Sequence, residues 1–570
     1  MRYLITSALP YINGIKHLGN LVGSMLPADI YARHLRQCGH EVLYICGTDE
    51  HGTPAELAAE AAGQSTRAFC DAMHARQADI YARFKIGFDH FGRSSAQSNH
   101  ALTQQTFLRL RDNGFIEERI GQQFYSRMGH RFLPDRYIVG ICPHCRHPSA
   151  RGDQCDGCGQ LLDPLELIQP RSSLNPDDEL ELRETRHVFL KLDALQSEVD
   201  DWIGTRTRWP HNVRAIARKW LDAGLHPRSI SRDLEWGIAV PLEGWEGKVF
   251  YVWFDAPLAY ISITQDWAAK QGDPDAWRQW WQRPDDVRLV QFMAKDNVPF
   301  HTIFWPATML GTRQPWTMAD TVKGYSWLTY EGSKFSTSEQ RGIFTDAAID
   351  LFSADYWRYA LIAMLPESDD ADFSFARFAA AINKDLADGI GNLLHRVSAL
   401  TRRYYDGRIA MCRAPLAQAE AALLLQLRAV AEDYLAAMDD IKLRQAQQAL
   451  RRMWSLADEF ITRAEPWRTV KTDPLAAERT LAMCLHVLRV GTVFAAPFIP
   501  DAAAAIWRFL GQDGTVQGVT PTAELAGSLC SMGAHWVMDG NPPMFEKITP
   551  EVCAELSERF SGGRTAPAVA

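Results

Sequence analysis

Two short apolar runs near the N-terminus, each ending in a polar turn, constrain the fold more than any other feature of the chain. YLIT (residues 3–6) leads into SALPYING, and EVLYIC (residues 41–46) leads into GTDEHG. The residues between them, from 17 to 35, follow a helical pattern. Apolar strands that alternate with helices form a parallel α/β sheet, whose ligands bind beyond the carboxyl ends of the strands. We therefore expect the chemistry at these two turns.

Length and composition narrow the class of protein. The chain has 570 residues, which predicts about three or four domains. Its net charge of −9 argues weakly against a protein that coats nucleic acid, although a local basic face remains compatible with it. No secretory leader is recognised, and prolines interrupt the apolar stretch VGTVFAAPFIPDAAAAIW, which predicts a buried helix pair and not a membrane span. We expect a cytoplasmic protein without a membrane segment.

Two CxxC pairs, CPHC and CDGC, predict a metal site. They place Cys142, Cys145, Cys155 and Cys158 at the spacing of paired knuckles. Four thiolates can surround Zn²⁺ tetrahedrally and leave no open position, so the zinc would be structural. The alternative is four unrelated buried cysteines, which the paired spacing disfavours.

The composition changes along the chain. Residues 116–229 are rich in Cys, Gly and Pro and have the character of a loop-rich insertion. Strand signals return in KVFYVWFDAP and RLVQFMAKD, and helical periodicity dominates from about residue 380. The C-terminal third is therefore expected to form a helix bundle, and SGGRTAPAVA at the end is expected to be a frayed tail.

Two polar segments could bind phosphate, although each is weak alone. In HLGN, His17 and Gly19 stand at a predicted helix start, where backbone N–H groups and the helix dipole attract anions. A His beside a Gly is more often a turn and a capped helix. KFSTS, from Lys334 to Ser338, is by itself more often a solvated loop.

Taken together and in this order, the motifs resemble those of a known family. ALPYING, HLGN, GTDEHGTP, the four-cysteine insert, FYVWFDAPLAY, FMAKDNVPFHTIFWP and GSKFSTS resemble methionyl-tRNA synthetase, a class I aminoacyl-tRNA synthetase. The resemblance extends from Tyr3 to about Trp467, and HLGN with KFSTS is similar to the archaeal and eukaryotic-like motif variant. It implies an α/β fold with a Rossmann-type parallel-sheet catalytic domain, a zinc-bearing connective insert and a C-terminal α-helical anticodon-binding bundle.

The resemblance implies a two-step ligase reaction. L-Methionine attacks the α-phosphate of ATP, giving methionyl-adenylate and pyrophosphate, and the methionyl group then passes to the 3′ end of methionine tRNA, initiator or elongator. Such chemistry depends on positioning and on charge stabilisation at the phosphates. ATP would carry Mg²⁺. The catalytic residues implied are His17, Asn20, Lys334 and Thr337, and the ATP-binding residues add Gly19, Lys295, Asp296 and Ser336.

A methionine pocket is implied residue by residue. Asp49 would hold the substrate ammonium, and aromatic and apolar side chains would enclose the polarisable thioether. Plain core packing is the alternative for Trp253 and Tyr260. Asn297 stands where many bacterial members have an aliphatic residue. The implied set is Ala8, Leu9, Tyr11, Asp49, Trp253, Ala256, Pro257, Tyr260, Asn297 and His301.

In the C-terminal region the resemblance implies anticodon contacts from Asn392, Arg396 and Trp467. Exposed bases are recognised by stacking and by hydrogen bonds to their edges, which suits these side chains. The alternative for Trp467 is a core anchor at a helix end.

The resemblance also suggests an organisation for the whole chain. One zinc and a monomer are expected. The predicted divisions are catalytic half 1 (1–115), the zinc-binding insert (116–229), catalytic half 2 (230–320), the KFSTS loop with a stem-contact region (321–380), the anticodon-binding domain (381–545) and a tail (546–570).

Thr337 raises an alternative function. Most members of the family carry lysine at this position of the loop, and the ammonium stabilises charge on the β- and γ-phosphates. The alternative is a paralogue with a specialised biosynthetic or resistance role and altered catalysis.

Overall fold

The structure is a computed structural model that describes residues 1–153, 155, 157–158, 160, 162–336, 340–411, 415–529, 535–538 and 540–562. The strands are β1 (Arg2–Ser7), β2 (Glu41–Thr48), β3 (His90–Arg93), β4 (Ile116–Ser126), β5 (Arg131–Phe132), β6 (Ile138–Ile141), β7 (Ala150–Arg151), β8 (Ile168–Ser172), β9 (Leu180–Leu190), β10 (Arg228–Ser229), β11 (Ser231–Arg232), β12 (Val249–Phe250), β13 (Val287–Ala294), β14 (Ala319–Tyr325), β15 (Leu328–Tyr330), β16 (Ala371–Phe373), β17 (Arg408–Ala410) and β18 (His535–Val537).

The α-helices are α1 (Leu18–Asn20), α2 (Leu26–Gln37), α3 (Thr53–Ala61), α4 (Thr66–Arg83), α5 (Gln97–Asp112), α6 (Leu192–Gly204), α7 (His211–Asp222), α8 (Val252–Asp255), α9 (Ala259–Lys270), α10 (Arg278–Trp281), α11 (Trp305–Gly311), α12 (Thr345–Leu351), α13 (Ala354–Ala363), α14 (Phe375–Ala381), α15 (Asn392–Tyr405), α16 (Gln418–Asp439), α17 (Leu443–Ala464), α18 (Pro466–Thr469), α19 (Pro474–Ala495), α20 (Pro500–Phe509), α21 (Ala523–Gly527) and α22 (Pro550–Arg559). Single π-helical segments occur at Leu21–Met25, Phe300–Phe304 and Ile382–Gly391.

A five-stranded sheet with the order β14-β13-β1-β2-β3 confirms the predicted α/β core. β1 pairs with β13 in parallel, with Leu4 opposite Leu289, and β2 pairs in parallel with β3. Leu4 and Leu289 are fully buried, as the continuous apolar runs of these strands require when both sheet faces are covered. The strands predicted at residues 3–6, at 41–46 and in RLVQFMAKD are all present.

The prediction of a strand in KVFYVWFDAP was largely wrong. Only Val249 and Phe250 form a strand, and α8 begins at Val252. β12 pairs with β11, which is just two residues long. Beyond Phe250 the chain therefore has no residue of β11 with which to pair. The following backbone groups are satisfied within a helical turn instead, as in the hydrogen bond from Ala256 N to Val252 O.

The segment expected to be loop-rich contains a long antiparallel ladder. β4 and β9 pair from Ile116 opposite Leu190 to Ser126 opposite Leu180. The EERIGQQ part of β4 lacks the apolar alternation that predicts a strand, because both of its faces are largely exposed. A small sheet of order β7-β6-β8 lies between these strands in sequence and carries the first CxxC pair at the end of β6.

The described chain forms two compact units, and neither is a continuous segment. One consists of residues 1–15, 43–79 and 88–324, and the other of residues 16–42, 80–87 and 325–570. The predicted division into six consecutive segments remains a prediction.

The second unit contains the predicted helix bundle. α16, α17 and α19 are each 22 residues long and bury apolar stripes, and α19 with α20 forms the predicted buried helix pair. Among the described helices, none has the length and the apolar character needed to cross a bilayer.

Candidate active site

In the first unit, most of the predicted methionine-binding residues line one pocket. Its volume, including space open to solvent, is about 250 Å³. Tyr11 is not among the lining residues and instead packs edge-on against Trp253, with ring centroids 5.9 Å apart. The residues that line the pocket are Ala8, Leu9, Asp49, Trp253, Ala256, Pro257, Tyr260, Asn297 and His301.

Strand ends position the polar end of this pocket. Ala8 and Leu9 follow β1, and Asp49 follows β2. Asp49 N donates to Pro10 O, and Ile12 N donates to Asp49 O, both at 2.9 Å. These hydrogen bonds continue the parallel pairing past the strands, so the buried Asp49 carboxylate is held on a rigid backbone.

A hydrogen-bonded chain forms another part of the pocket wall. His301 Nδ1 lies 2.9 Å from Asn297 O, and its Nε2 lies 3.0 Å from the hydroxyl of Tyr260. A carbonyl can only accept, so Nδ1 carries the proton and Nε2 accepts from Tyr260. Burial lowers the pKa of His301 to about 4, which keeps the ring neutral at physiological pH. This wall is therefore polar but uncharged.

Phe300 is a pocket neighbour that the sequence analysis did not single out. Its ring stacks on Trp253, with centroids 3.7 Å apart and an angle of 9° between the planes. Phe300 belongs to the π-helical segment that also carries His301. Its position directly before His301 in NVPFH was the available signal.

In the second unit, the HLGN and KFSTS segments meet. The rings of His17 and Phe335 stack with centroids 4.5 Å apart and an angle of 7°. His17 is the residue before α1, which contains Gly19 and the exposed Asn20. Burial, with a smaller effect of Lys16, lowers the pKa of His17 to about 3, so the ring is neutral at physiological pH. His17 would therefore act on a phosphate as a hydrogen-bond donor and not as a cation.

The ends of the KFSTS loop are joined by backbone hydrogen bonds. Ser336 N donates to Arg341 O at 3.1 Å, and Arg341 N donates to Ser336 O at 2.9 Å. Gly342 has a φ of +89°, and a Cβ there would lie 2.3 Å from the Phe335 ring, so only glycine fits. Lys334 lies 4.9 Å from the ring centroid of Trp327. Thr337 lies outside the described residues.

The C-terminal segment holds the same loop. Phe560 O accepts from Gly342 N, and Ser561 O accepts from Arg341 Nη1, both at 3.0 Å. The frayed tail was predicted to begin at Ser561. That prediction was wrong for Ser561, because its carbonyl accepts a hydrogen bond from Arg341. From residue 563 onward the tail lies outside the described residues.

Lys295 and Asp296, the remaining predicted ATP-binding residues, lie in the first unit. They form a 3₁₀ turn with Asn297 immediately after β13. Asp296 is exposed.

The four cysteines are arranged as a metal site. All four sulfur atoms lie within 4.8 Å of one another, with Cys142 to Cys158 at 4.0 Å and Cys145 to Cys155 at 3.6 Å. Four sulfurs placed tetrahedrally around Zn²⁺, at the usual Zn–S length of about 2.3 Å, lie about 3.8 Å from one another. The two measured sulfur separations are close to this value. The cluster therefore fits a structural metal ion held by four sulfurs.

Two of the predicted anticodon residues lie together. The Arg396 guanidinium lies 5.9 Å from the ring centroid of the half-buried Trp467, and it also pairs with Asp458. Asn392 is exposed one turn earlier on α15. Trp467 lies in the short helix α18 and keeps part of its ring in contact with solvent.

Comparisons with known proteins agree with this geometry. The family described as "tRNA synthetases class I (M)" matches residues 3–398, and that described as "Anticodon binding domain of methionyl tRNA ligase" matches residues 413–565. The methionine–tRNA ligase of Streptomyces avermitilis is 48% identical over 98% of this chain and 99% of its own. Methionine–tRNA ligase 1 of Acaryochloris marina is 48% identical over 99% of this chain and 100% of its own.

A solved structure supports the fold. The methionyl-tRNA synthetase of Mycobacterium tuberculosis, in complex with methionyl-adenylate, superposes with a TM-score of 0.78 at 22% identity, covering 95% of this chain and 99% of that one. The two family matches and the identity of nearly half over almost the full length determine the family. The chain belongs to the methionine–tRNA ligases, the class I tRNA synthetases of methionine.

Proposed function

We propose that the protein activates L-methionine with ATP and transfers the methionyl group to the 3′ end of methionine tRNA. The observation that carries this proposal is a pocket whose lining includes both a buried carboxylate, Asp49, and a neutral Tyr260–His301 pair beside Trp253. A zwitterionic amino acid with an uncharged, polarisable side chain fits such a pocket.

Asp49 binds the methionine ammonium in this proposal. Asp49 is 2% exposed and lines the pocket, so its negative charge attracts the ammonium of a bound amino acid. Trp253 and Tyr260 enclose the thioether, with Ala256 and Pro257 on the same side. Because His301 is neutral, it does not compete for the substrate carboxylate, which stays available to attack the α-phosphate.

The ATP phosphates are bound by the two signature segments. His17 donates a hydrogen bond from a neutral ring, and the N–H groups at the start of α1 add a weak positive potential. Gly19 and Asn20 leave that helix start accessible. Cationic and polar groups then stabilise charge as pyrophosphate leaves. The residues proposed for this role are Lys334, Ser336, Thr337 and Lys295. Asp296 is proposed to contact ATP but, as an anion, not to stabilise the phosphate charge.

The remaining assignments are proposals of the same kind. The four-cysteine cluster holds one structural Zn²⁺, which fixes the fold of the insert around it. ATP brings Mg²⁺. Asn392, Arg396 and Trp467 contact the anticodon of initiator and elongator methionine tRNA. The protein is a cytoplasmic monomer.

Methionine-dependent pyrophosphate exchange and charging of methionine tRNA transcripts test the proposal. We expect exchange with methionine and none with leucine or glutamate at the same concentration. Asp49→Asn should abolish measurable exchange, whereas Asp193→Asn, a surface control at the start of α6, should leave it unchanged. Undiminished exchange in Asp49→Asn would show that Asp49 does not bind the methionine ammonium.

The specialised paralogue remains a second candidate because of Thr337. Replacing a charge-assisted hydrogen bond by a neutral one loses about 1–1.4 kcal/mol, which corresponds to about 5- to 10-fold in rate. We expect Thr337→Lys to raise the exchange rate by up to about tenfold. Thr472→Lys, the same change at an exposed threonine outside both segments, is the control. Exchange in the wild type together with no charging of any methionine tRNA would favour the paralogue.

A further inference from the structure

A buried pair of ionisable side chains joins the two elements on which the pocket is built. His51 lies two residues after Asp49, in the turn that follows β2, and Asp255 is the last residue of α8, two after Trp253. His51 Nδ1 and Asp255 Oδ2 are 2.8 Å apart, with side-chain exposures of 2% and 0%. Neither residue lines the pocket, so the pair lies behind its wall.

The His51–Asp255 pair is expected to stabilise the fold less than apolar residues would at the same positions. Burying charged groups costs several kcal/mol, and well-packed apolar residues of similar size often replace such a pair without loss of stability. Asp255 has one further hydrogen bond, from the Asn99 amide at 3.4 Å, and its Oδ1 has no partner among the described residues. Burial raises the pKa of Asp255, and the contact with His51 opposes that shift. The arrangement therefore favours a geometric role over a stabilising one.

The turn after β2 is also held by hydrogen bonds to Glu50, the residue before His51. The buried Glu50 carboxylate accepts from both Nε and Nη2 of Arg93, and the indole nitrogen of Trp236 donates to Glu50 O at 2.5 Å. The side chain of His51 thus extends from an anchored backbone towards α8.

The backbone of the turn also approaches α8 closely. Gly52 has a φ of +87°, and a Cβ there would lie 3.4 Å from Val252 Cβ. A non-glycine residue would be strained by this φ, which favours glycine at the contact. A Cβ at 3.4 Å would be in ordinary contact, so the φ and not the space favours glycine here, and the His51–Asp255 hydrogen bond is the contact that fixes the turn relative to α8.

We propose that the His51–Asp255 pair is a positioning device for methionine, which holds the Asp49 turn and the Trp253 helix in the one arrangement that receives both ends of the same amino acid. This inference rests on the proposed function, because it presumes that Asp49 and Trp253 bind the ammonium and the side chain. His51 and Asp255 act through these residues and do not touch the substrate. A shift of the two walls relative to each other weakens methionine binding without altering the groups that bind ATP.

Equilibrium dialysis of labelled methionine, without ATP, measures the effect directly. We expect His51→Leu and Asp255→Leu each to raise the methionine Kd by about tenfold or more, since displacements near 1 Å at a bound substrate have effects of this size. The KM for ATP in pyrophosphate exchange should change less than about twofold. His51→Asn, whose side-chain amide nitrogen is bonded to Cγ as Nδ1 is, keeps a neutral donor and should restore much of the affinity.

The double variant His51→Leu/Asp255→Leu separates positioning from stability. It leaves no unpaired charge, so its Tm should return close to that of the wild type, while the methionine Kd stays high. His187→Leu is the matched control in the same unit, because His187 Nε2 pairs with Asp233 Oδ2 at 3.3 Å away from the pocket. That variant should lower the Tm and leave the methionine Kd unchanged.

Two results would overturn the inference. One is an unchanged methionine Kd in any folded variant that lacks the pair. The other is a Kd that recovers in the double variant together with the Tm, since the pair would then act through stability alone. Failure of the proposed function has a different signature, because wild-type protein would then show no methionine-dependent exchange and no saturable methionine binding.

Discussion

His17 and Phe335 lie face to face, with ring centroids 4.5 Å apart and planes that differ by 7°, although 317 positions separate them in the chain. This stack joins the two segments that we propose to bind ATP, and the joining residue is a phenylalanine whose role the sequence analysis did not foresee. The ring also rests on Gly342, where any side chain would collide with it. The orientation of the His17 imidazole therefore depends on Phe335.

Replacing Phe335 tests that dependence. Aromatic pairs contribute about 0.5–1.5 kcal/mol beyond simple burial, so Phe335→Leu should lower kcat/KM for ATP in pyrophosphate exchange by up to about tenfold. Phe335→Tyr keeps the ring and should behave like the wild type. Phe344→Leu is the matched control, since Phe344 approaches His17 edge-on at 6.4 Å. Equal losses in the two leucine variants would show that the stack has no specific role.

The second prediction concerns the metal. Metal analysis of purified protein should give about one zinc per chain, because four thiolates form one closed tetrahedral site. Cys145→Ser should lose this zinc and increase hydrogen exchange within residues 138–172. Cys553→Ser, a cysteine outside the cluster, should retain it. Full zinc content in Cys145→Ser would contradict the assignment.

The third prediction concerns pH and stability. Burial lowers the pKa of His486 in α19 from 6.5 to about 4. Below pH 6.5 the unfolded chain binds a proton that the folded chain does not, so the free energy of unfolding falls as the pH drops towards the folded pKa. This residue alone should contribute a loss of about 2 kcal/mol by about pH 5, at about 1.4 kcal/mol per pH unit.

Urea denaturation at neutral pH and at about pH 5 measures this loss, with His486→Gln as the comparison. Glutamine does not titrate, so the variant should lose less stability than the wild type over the same interval. Identical losses in the two proteins would mean that His486 titrates normally when folded.

The fourth prediction concerns the tRNA. Stacking of a base on an aromatic side chain is worth about 1–3 kcal/mol, so Trp467→Ala should raise the KM for methionine tRNA by about 5- to 150-fold. Pyrophosphate exchange should be unaffected, because that step needs no tRNA. Tyr404→Ala, another partly exposed aromatic in the same unit, is the control. Charging that is indifferent to Trp467→Ala would place the anticodon contact elsewhere.

The sequence by itself determined the features that depend on short contiguous segments of the chain. Continuous apolar runs gave β1, β2 and β13, since strands buried on both faces must be apolar throughout. Cysteine spacing predicted the metal cluster, because two residues between ligands suit a knuckle. The order of the motifs indicated the family and pointed to nearly all of the residues that line the pocket proposed for methionine.

Only the tertiary structure decided which distant groups support one another. Whether KVFYVWFDAP continues as a strand depends on a partner strand, and the partner ends after two residues. The EERIGQQ part of β4 carries no apolar alternation, because exposed faces do not require it. The His17–Phe335 stack and the His51–Asp255 pair depend on contacts across hundreds of residues, which no local pattern encodes.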